Sequence, residues 1–185
     1  MTCCAVVALS NNWTFWYKDK CPEDEDWRMN FQKLFEVSTA TQFLEAYNLT
    51  KLPSGLPLGA SYYFFKKGIQ PMWEEEPNRG AGAWIIQVEN QINNDLNLIW
   101  SDLLFTLISG GFKELSCYLC GITCNVKHEK MKKVAIWTVK TTLENYEHIM
   151  KIGKILQMLK LNVYEIKSLK YKLHNRLSNN FDYML

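Results

Sequence analysis

Trp27, Trp73 and Glu74 are the residues of this chain best suited to hold a ligand. Trp27 follows the acidic run Glu23-Asp24-Glu25-Asp26, and Trp73 lies in Pro71-Met72-Trp73-Glu74. Both tryptophans fall in stretches that read as loops, where a large apolar ring exposed to water asks for something to stack on. Two indoles on the faces of a positively charged ring gain from the negative face of each π-system. A glutamate in line with the ring edge accepts two N–H donors in strong, charge-assisted hydrogen bonds. These parts suit a cationic purine with a guanine edge, 7-methylguanine, over neutral guanine. They also reject adenine, which presents the wrong edge. Two stacks contribute a few kcal/mol, at ~1–3 kcal/mol each.

The same residues belong to an ordered series. Asn12-Trp13-Thr14-Phe15-Trp16-Tyr17-Lys18 comes first, then Trp27, then Gly68-Ile69-Gln70-Pro71-Met72-Trp73-Glu74-Glu75-Glu76. Trp84-Ile85-Ile86, Trp100-Ser101-Asp102-Leu103-Leu104 and Ala135-Ile136-Trp137-Thr138 follow. In this order and spacing the chain resembles the eukaryotic mRNA cap-binding translation initiation factors, the E subunit of initiation factor four, from about Asn12 to Gly153. The resemblance implies a curved antiparallel sheet with three helices on its convex face and a cap-binding slot on the concave side. It implies Trp27 and Trp73 stacking on the cap base, Glu74 reading its edge and Trp137 touching the N7 methyl. It puts phosphate binding on Lys127 and Lys133, with Lys132 able to stand in for Lys133 because the turn carries one extra residue. The family's arginine before the fourth-strand tryptophan is Ala83 here, with Arg79 a few residues earlier as the candidate to compensate, so a weaker or differently shaped phosphate contact is expected.

The resemblance also implies a convex face that takes a helical motif from an initiation scaffold protein or from inhibitory binding proteins. The matching positions are Ala40, Leu44, Trp100, Ser101, Asp102 and Phe105. Leu44 stands where the family carries a tryptophan, and the segment before Trp13 lacks its histidine-proline pair. Buried aromatic anchors dominate such interfaces, and losing one costs ~2–4 kcal/mol. The expected function is therefore recruitment of capped mRNA for translation initiation. The alternative is a divergent paralogue that represses or shelters mRNA because its scaffold face is altered.

Composition bounds these readings. A chain of 185 residues suits one domain with one sizeable core. The net charge of +2 does not announce a nucleic-acid binder, so any RNA contact must come from a local patch. Seven tryptophans exceed what a core of this size needs. Six cysteines without a signal-like segment read as reduced thiols in the cytoplasm or nucleus, and no stretch is long enough to span a bilayer. Cys117, Cys120, Cys124 and His128 could offer metal ligands, but in one strand-like run they splay to opposite faces, so no metal is expected. Neither a catalytic constellation nor a cofactor-binding loop is visible, and the chain reads as a binding protein, not an enzyme.

The elements that must position these residues are legible from period and punctuation. Strands are expected at 13–18, 31–37, 61–66, 83–89, 118–126, 134–139 and 163–169. Thr39-Ala40-Thr41-Gln42 reads as a capping box for a first helix carrying Phe43, Ala46 and Tyr47. Asn93-Asn94-Asp95 opens a second helix to about Ile108, stopped by Gly110-Gly111. Thr141-Thr142-Leu143-Glu144 reads as another capping box, for a third helix with Leu143, Tyr146, Ile149, Ile152, Leu156 and Leu159 on one face. Residues 71–82 form a long polar loop holding Trp73. The domain is expected to span 1–185, with a short N-terminal segment (1–11) and no element assigned from 170 to 185. Runs of strands with interspersed helices give an α+β class.

Overall fold

Alternating apolar residues build one antiparallel sheet that has a different environment on each face. The computed structural model describes residues 6–20, 26–88, 93–128, 131–159, 169–174 and 183–184, without the side chains of 27, 29, 93, 94, 128, 131 and 184. Its strands are β1 (Ala8–Lys18), β2 (Phe31–Thr39), β3 (Ser61–Lys66), β4 (Gly82–Val88), β5 (Leu119–His128), β6 (Met131–Thr138), β7 (Leu169–Leu173) and β8 (Tyr183–Met184). Its helices are α1 (Ala40–Leu49), α2 (Asn93–Ile108) and α3 (Tyr146–Met158). The strands lie in the order β2-β1-β3-β5-β6-β4-β7-β8, in a curved sheet with the expected α+β architecture.

The helix-covered face carries the main core. Trp13 and Phe15 of β1, Phe64 of β3, Trp84 of β4, Ile122 of β5, Ile136 of β6 and Tyr171 of β7 point into it with Phe43, Leu103 and Ile152 of the helices. Trp84 Nε1–H donates to the Ile149 carbonyl at 2.9 Å, tying α3 to the sheet. The opposite, concave face carries a smaller aromatic cluster of Tyr63, Phe65 and Cys120, with Trp16, Phe31, Ile69, Trp137 and Val139 packed against it. The tryptophans with described side chains are thus divided: Trp13, Trp84 and Trp100 fill the core, while Trp16 and Trp137 belong to the concave face. Trp73 is exposed.

Several expectations need correction. Trp100, expected on the partner face, is 2% exposed and packs against Phe15 and Tyr62. Its ring faces the sheet, so it belongs to the core. Residues 8–11 are not a separate segment, because β1 begins at Ala8, paired with Thr39. The third helix starts at Tyr146, and Leu143 is 99% exposed. The Thr142 and Asn145 side chains bond each other's backbone N–H groups instead, closing a turn that consumes the capping pattern. Cys117 lies in the 3-10 helix Lys113–Tyr118, not in a strand. Most of the expected strand at 163–169 lies outside the described residues, and β7 instead occupies Leu169–Leu173, in the stretch left without an element. No helix among the described residues is long and apolar enough to cross a membrane.

Candidate functional site

The concave cluster is where the two tryptophan loops are rooted. The 3-10 helix Trp27–Asn30 is capped by the Asp26 side chain, which accepts from Arg28 N–H at 3.1 Å. It runs directly into Phe31, whose ring packs on Tyr63 at 5.0 Å. The Trp27 side chain itself lies outside the described residues. The loop 67–81 starts with Gly68 at φ +90, a left-handed turn suited to glycine. It then lays Ile69 on the same cluster. Both loops therefore leave the sheet from one aromatic floor that also contains Trp137.

Asn78 holds the second loop in shape. It is fully buried, and its Nδ2 donates to the carbonyls of Gln70 at 2.6 Å and Met72 at 2.9 Å. Its backbone N–H donates to the Glu75 carbonyl at 2.8 Å. Around this pin, Trp73 stands 45% exposed. Glu74 is half-buried, and its Oε2 is buried with no hydrogen-bond partner. A buried carboxylate oxygen left without a donor costs stability unless a ligand supplies one. Arg79, offered as a substitute phosphate ligand, is engaged inside the loop: its Nε–H donates to the Glu74 carbonyl at 3.1 Å.

Trp137 is fixed from two sides. Phe65 meets it edge-on at 5.4 Å, and the His174 ring lies 3.9 Å from it, centroid to centroid. Phe65 can take this position because it lies over Gly121, where a Cβ would sit 2.6 Å from its ring. A bulge admits Cys120 as an extra residue between Leu119 and Gly121. Leu119 faces the core while Cys120 and Gly121 face the concave side, so Cys120 and Cys124 belong to different clusters. Burial pushes the Cys120 thiol and the Tyr63 hydroxyl each up to about 12, so both stay protonated.

The structure separates the expected cations. Lys133 lies opposite Asn125 and Gln87 and lines a concave cavity of about 270 Å³ with Trp137, His174 and Lys172. Lys132 lies opposite Val88 and Val126, both core residues, and so takes the helix-side parity. It cannot stand in for Lys133. Lys127 is exposed near the end of β5. The sequence reading missed Asn78 and His174 and gave no role to Lys172. Only register places the latter two beside Trp137.

On the other face, Ala40, Leu44, Asp102 and Phe105 line an apolar groove of about 790 Å³ between α1 and α2. Val7, Ala8, Leu9 and Ser10 form another part of its wall. Leu44 is 47% exposed. Ser101, expected on the partner face, bonds the Tyr47 hydroxyl at 2.6 Å and the Asn97 carbonyl at 2.7 Å.

Comparison with known proteins agrees with this geometry. The family model of eukaryotic initiation factor 4E matches residues 8–182. The chain is 37% identical to a Xenopus laevis eukaryotic translation initiation factor 4E over 148 residues, 80% of this chain and 68% of that protein. It is 32% identical to a Caenorhabditis elegans factor 4E-3 over 170 residues, 90% of this chain and 66% of that one. The chain thus spans about two thirds of the length of these relatives. A solved C. elegans eIF4E-3, in complex with the 4E-binding protein Mextli and a cap analog, superposes with TM-score 0.86 at 30% identity, covering 98% of this chain and 100% of that one. An Ascaris suum eIF4E-3 with m7G cap gives the same TM-score and identity, covering 98% of each chain.

Proposed function

The chain belongs to the eukaryotic initiation factor 4E family, and from that premise we propose that it binds the 7-methylguanosine cap of mRNA and brings the message to translation initiation. Trp73 and Trp27 stack on the two faces of the cationic base, Glu74 accepts its N1–H and amino protons, and Trp137 touches the N7 methyl. The observation that carries the reading is the buried, unpartnered Oε2 of Glu74, next in sequence to an exposed indole. Two N–H donors on a flat cationic ring meet the needs of both residues. The nematode relatives solved with cap ligands support it. Binding is the whole of the activity in this reading, with no chemical step, and it places the protein in the cytoplasm with its messages.

A helical motif from a scaffold or inhibitory protein docks in the groove between α1 and α2. Leu44 favours a second reading, in which the protein holds capped mRNA without engaging the scaffold and so represses or shelters it. A leucine side chain cannot replace the buried area of an indole at the centre of such an interface.

Tryptophan fluorescence quenching by 7-methyl-GTP and GTP tests the base reading. Strong preference for 7-methyl-GTP is expected, with Glu74→Gln losing about 10–100-fold of it as one charge-assisted acceptor is removed. Equal binding of both nucleotides, or an unchanged Glu74→Gln, rejects the assignment.

A further inference from the structure

Pairing across three strands makes a row on the concave face. Lys172 of β7 stands directly across from Ala83 of β4, and Ala83 directly across from Trp137 of β6. Farther along β6, on the same face, Lys133 stands between Gln87 and Asn125. The two lysines line one cavity with Thr123, Asn125, Trp137 and His174, and no acidic side chain among the described residues lines it. Ala83, small and between Lys172 and Trp137 in the row, lines the same cavity.

Two ammonium groups sharing a partly dry cavity oppose each other. Burial holds Lys133 below the usual lysine range, and Lys127 and then Lys172 push the same way. His174 does not add a third charge, because burial and Lys133 bring it down to about 4. The cavity is therefore cationic and roomy, and none of its described lining residues supplies a counter-ion. A ligand bearing several anionic oxygens would relieve it.

The strand that carries Lys172 is held firmly on both sides of it. Tyr171 is fully buried and its hydroxyl bonds Thr138 Oγ1 at 2.8 Å and Thr141 Oγ1 at 2.7 Å. Its ring lies so close over Gly82 that a Cβ there would be 2.6 Å away. On the other side, His174 N–H donates to the Ala81 carbonyl at 2.9 Å.

We propose that Lys172 is a phosphate-binding residue of the site, gripping oxygens of the cap's triphosphate bridge together with Lys133 while the methylated base lies toward Trp137. The proposal rests on the cap-binding reading above. It assigns to β7 a charge that the sequence resemblance sought in Arg79 or before Trp84.

Fluorescence titration of the whole chain with 7-methylguanosine, 7-methyl-GTP and GTP, each at two salt concentrations, tests it. Lys172→Gln is expected to weaken 7-methyl-GTP about tenfold and to lower the salt dependence by about one ion, leaving 7-methylguanosine unchanged. Adding Ala83→Arg, which returns a cation from the facing strand, is expected to recover most of the loss. Lys172→Arg should keep the salt dependence and covers the case in which the double variant does not fold. Unchanged 7-methyl-GTP affinity and salt dependence in Lys172→Gln overturns the role of Lys172 and leaves base recognition standing. If the wild type fails to prefer 7-methyl-GTP to GTP, base recognition falls. A tenfold loss of both triphosphates in Lys172→Gln would then still uphold the anion site. No binding of either triphosphate by the wild type rejects both.

Discussion

Glu74 and His174 each keep a buried polar atom that no neighbouring group satisfies, Oε2 in one and Nε2 in the other. The carboxylate can wait for a donor from a ligand; the imidazole is held neutral by its surroundings. Burial is the larger cause and Lys133 the second, and together they lower His174 to about 4. An unfolded histidine titrates near 6.5. Between those values the unfolded chain binds a proton that the folded chain refuses, so stability is full above about 6.5 and falls as the pH drops toward 4, by up to about 3 kcal/mol. Thermal melts from pH 7.5 to 4.5 should show this fall, and His174→Gln should flatten it. An unchanged slope would mean that other groups set the acid response. None of this was legible in the sequence, where His174 is one of three histidines without a partner in any recognisable motif. Glu74 was singled out in the sequence by its place beside Trp73, although nothing there marks its Oε2 as buried and unpartnered.

Among the elements, the Trp73 loop shows where reading by punctuation stops. Its glycines and prolines announce a loop, and the strands on either side fall within a residue or so of their expected limits. What gives the loop one shape is Asn78, a polar residue in polar company that nothing in the chain marks as fully buried. Asn78→Ala removes two hydrogen bonds and leaves two carbonyls to fend for themselves, at about 1–3 kcal/mol. We expect a lower melting temperature together with weaker 7-methyl-GTP binding, since Trp73 loses its support. Melting that drops with binding untouched would show that Trp73 is positioned by something else. The second helix, Asn93–Ile108, was readable to its ends because the polar run Asn93-Asn94-Asp95 and Gly110-Gly111 bracket an apolar stretch. The third was misplaced at its start because the Thr142 and Asn145 side chains serve a turn as readily as a helix cap. Trp100 was misassigned for a different reason: α2 is apolar on almost every side, so period alone cannot tell which stripe meets the sheet.

At the scale of the molecule, one sheet separates two surfaces. The concave face carries Trp137, the lysine cavity and the roots of both tryptophan loops, and the helix-covered face carries the groove around Leu44. Resemblance named most residues of both faces; register sorted them, keeping Lys133 on one side and sending Lys132 to the other. The groove has an apolar lining suited to a helix, but among its described lining residues Phe43 is buried and Phe105, 39% exposed, is the exposed aromatic ring beside Leu44. Isothermal titration with a peptide carrying the scaffold's helical motif should give weak binding, and Leu44→Trp should strengthen it by about tenfold or more, the scale of a regained aromatic anchor. Submicromolar binding by the unmodified chain would refute the weakening.

The crowding of Lys133 and Lys172 into one concavity also bears on the order of events at encounter. With a net charge of only +2, the chain as a whole offers little pull at a distance, so attraction is concentrated at that spot. A molecule negative at one end and flat and cationic at the other would be drawn in tail foremost, its ring swinging between the indoles afterwards. Arrival would then slow as ionic strength rises, while the time spent bound would be governed by the stacked rings and change far less.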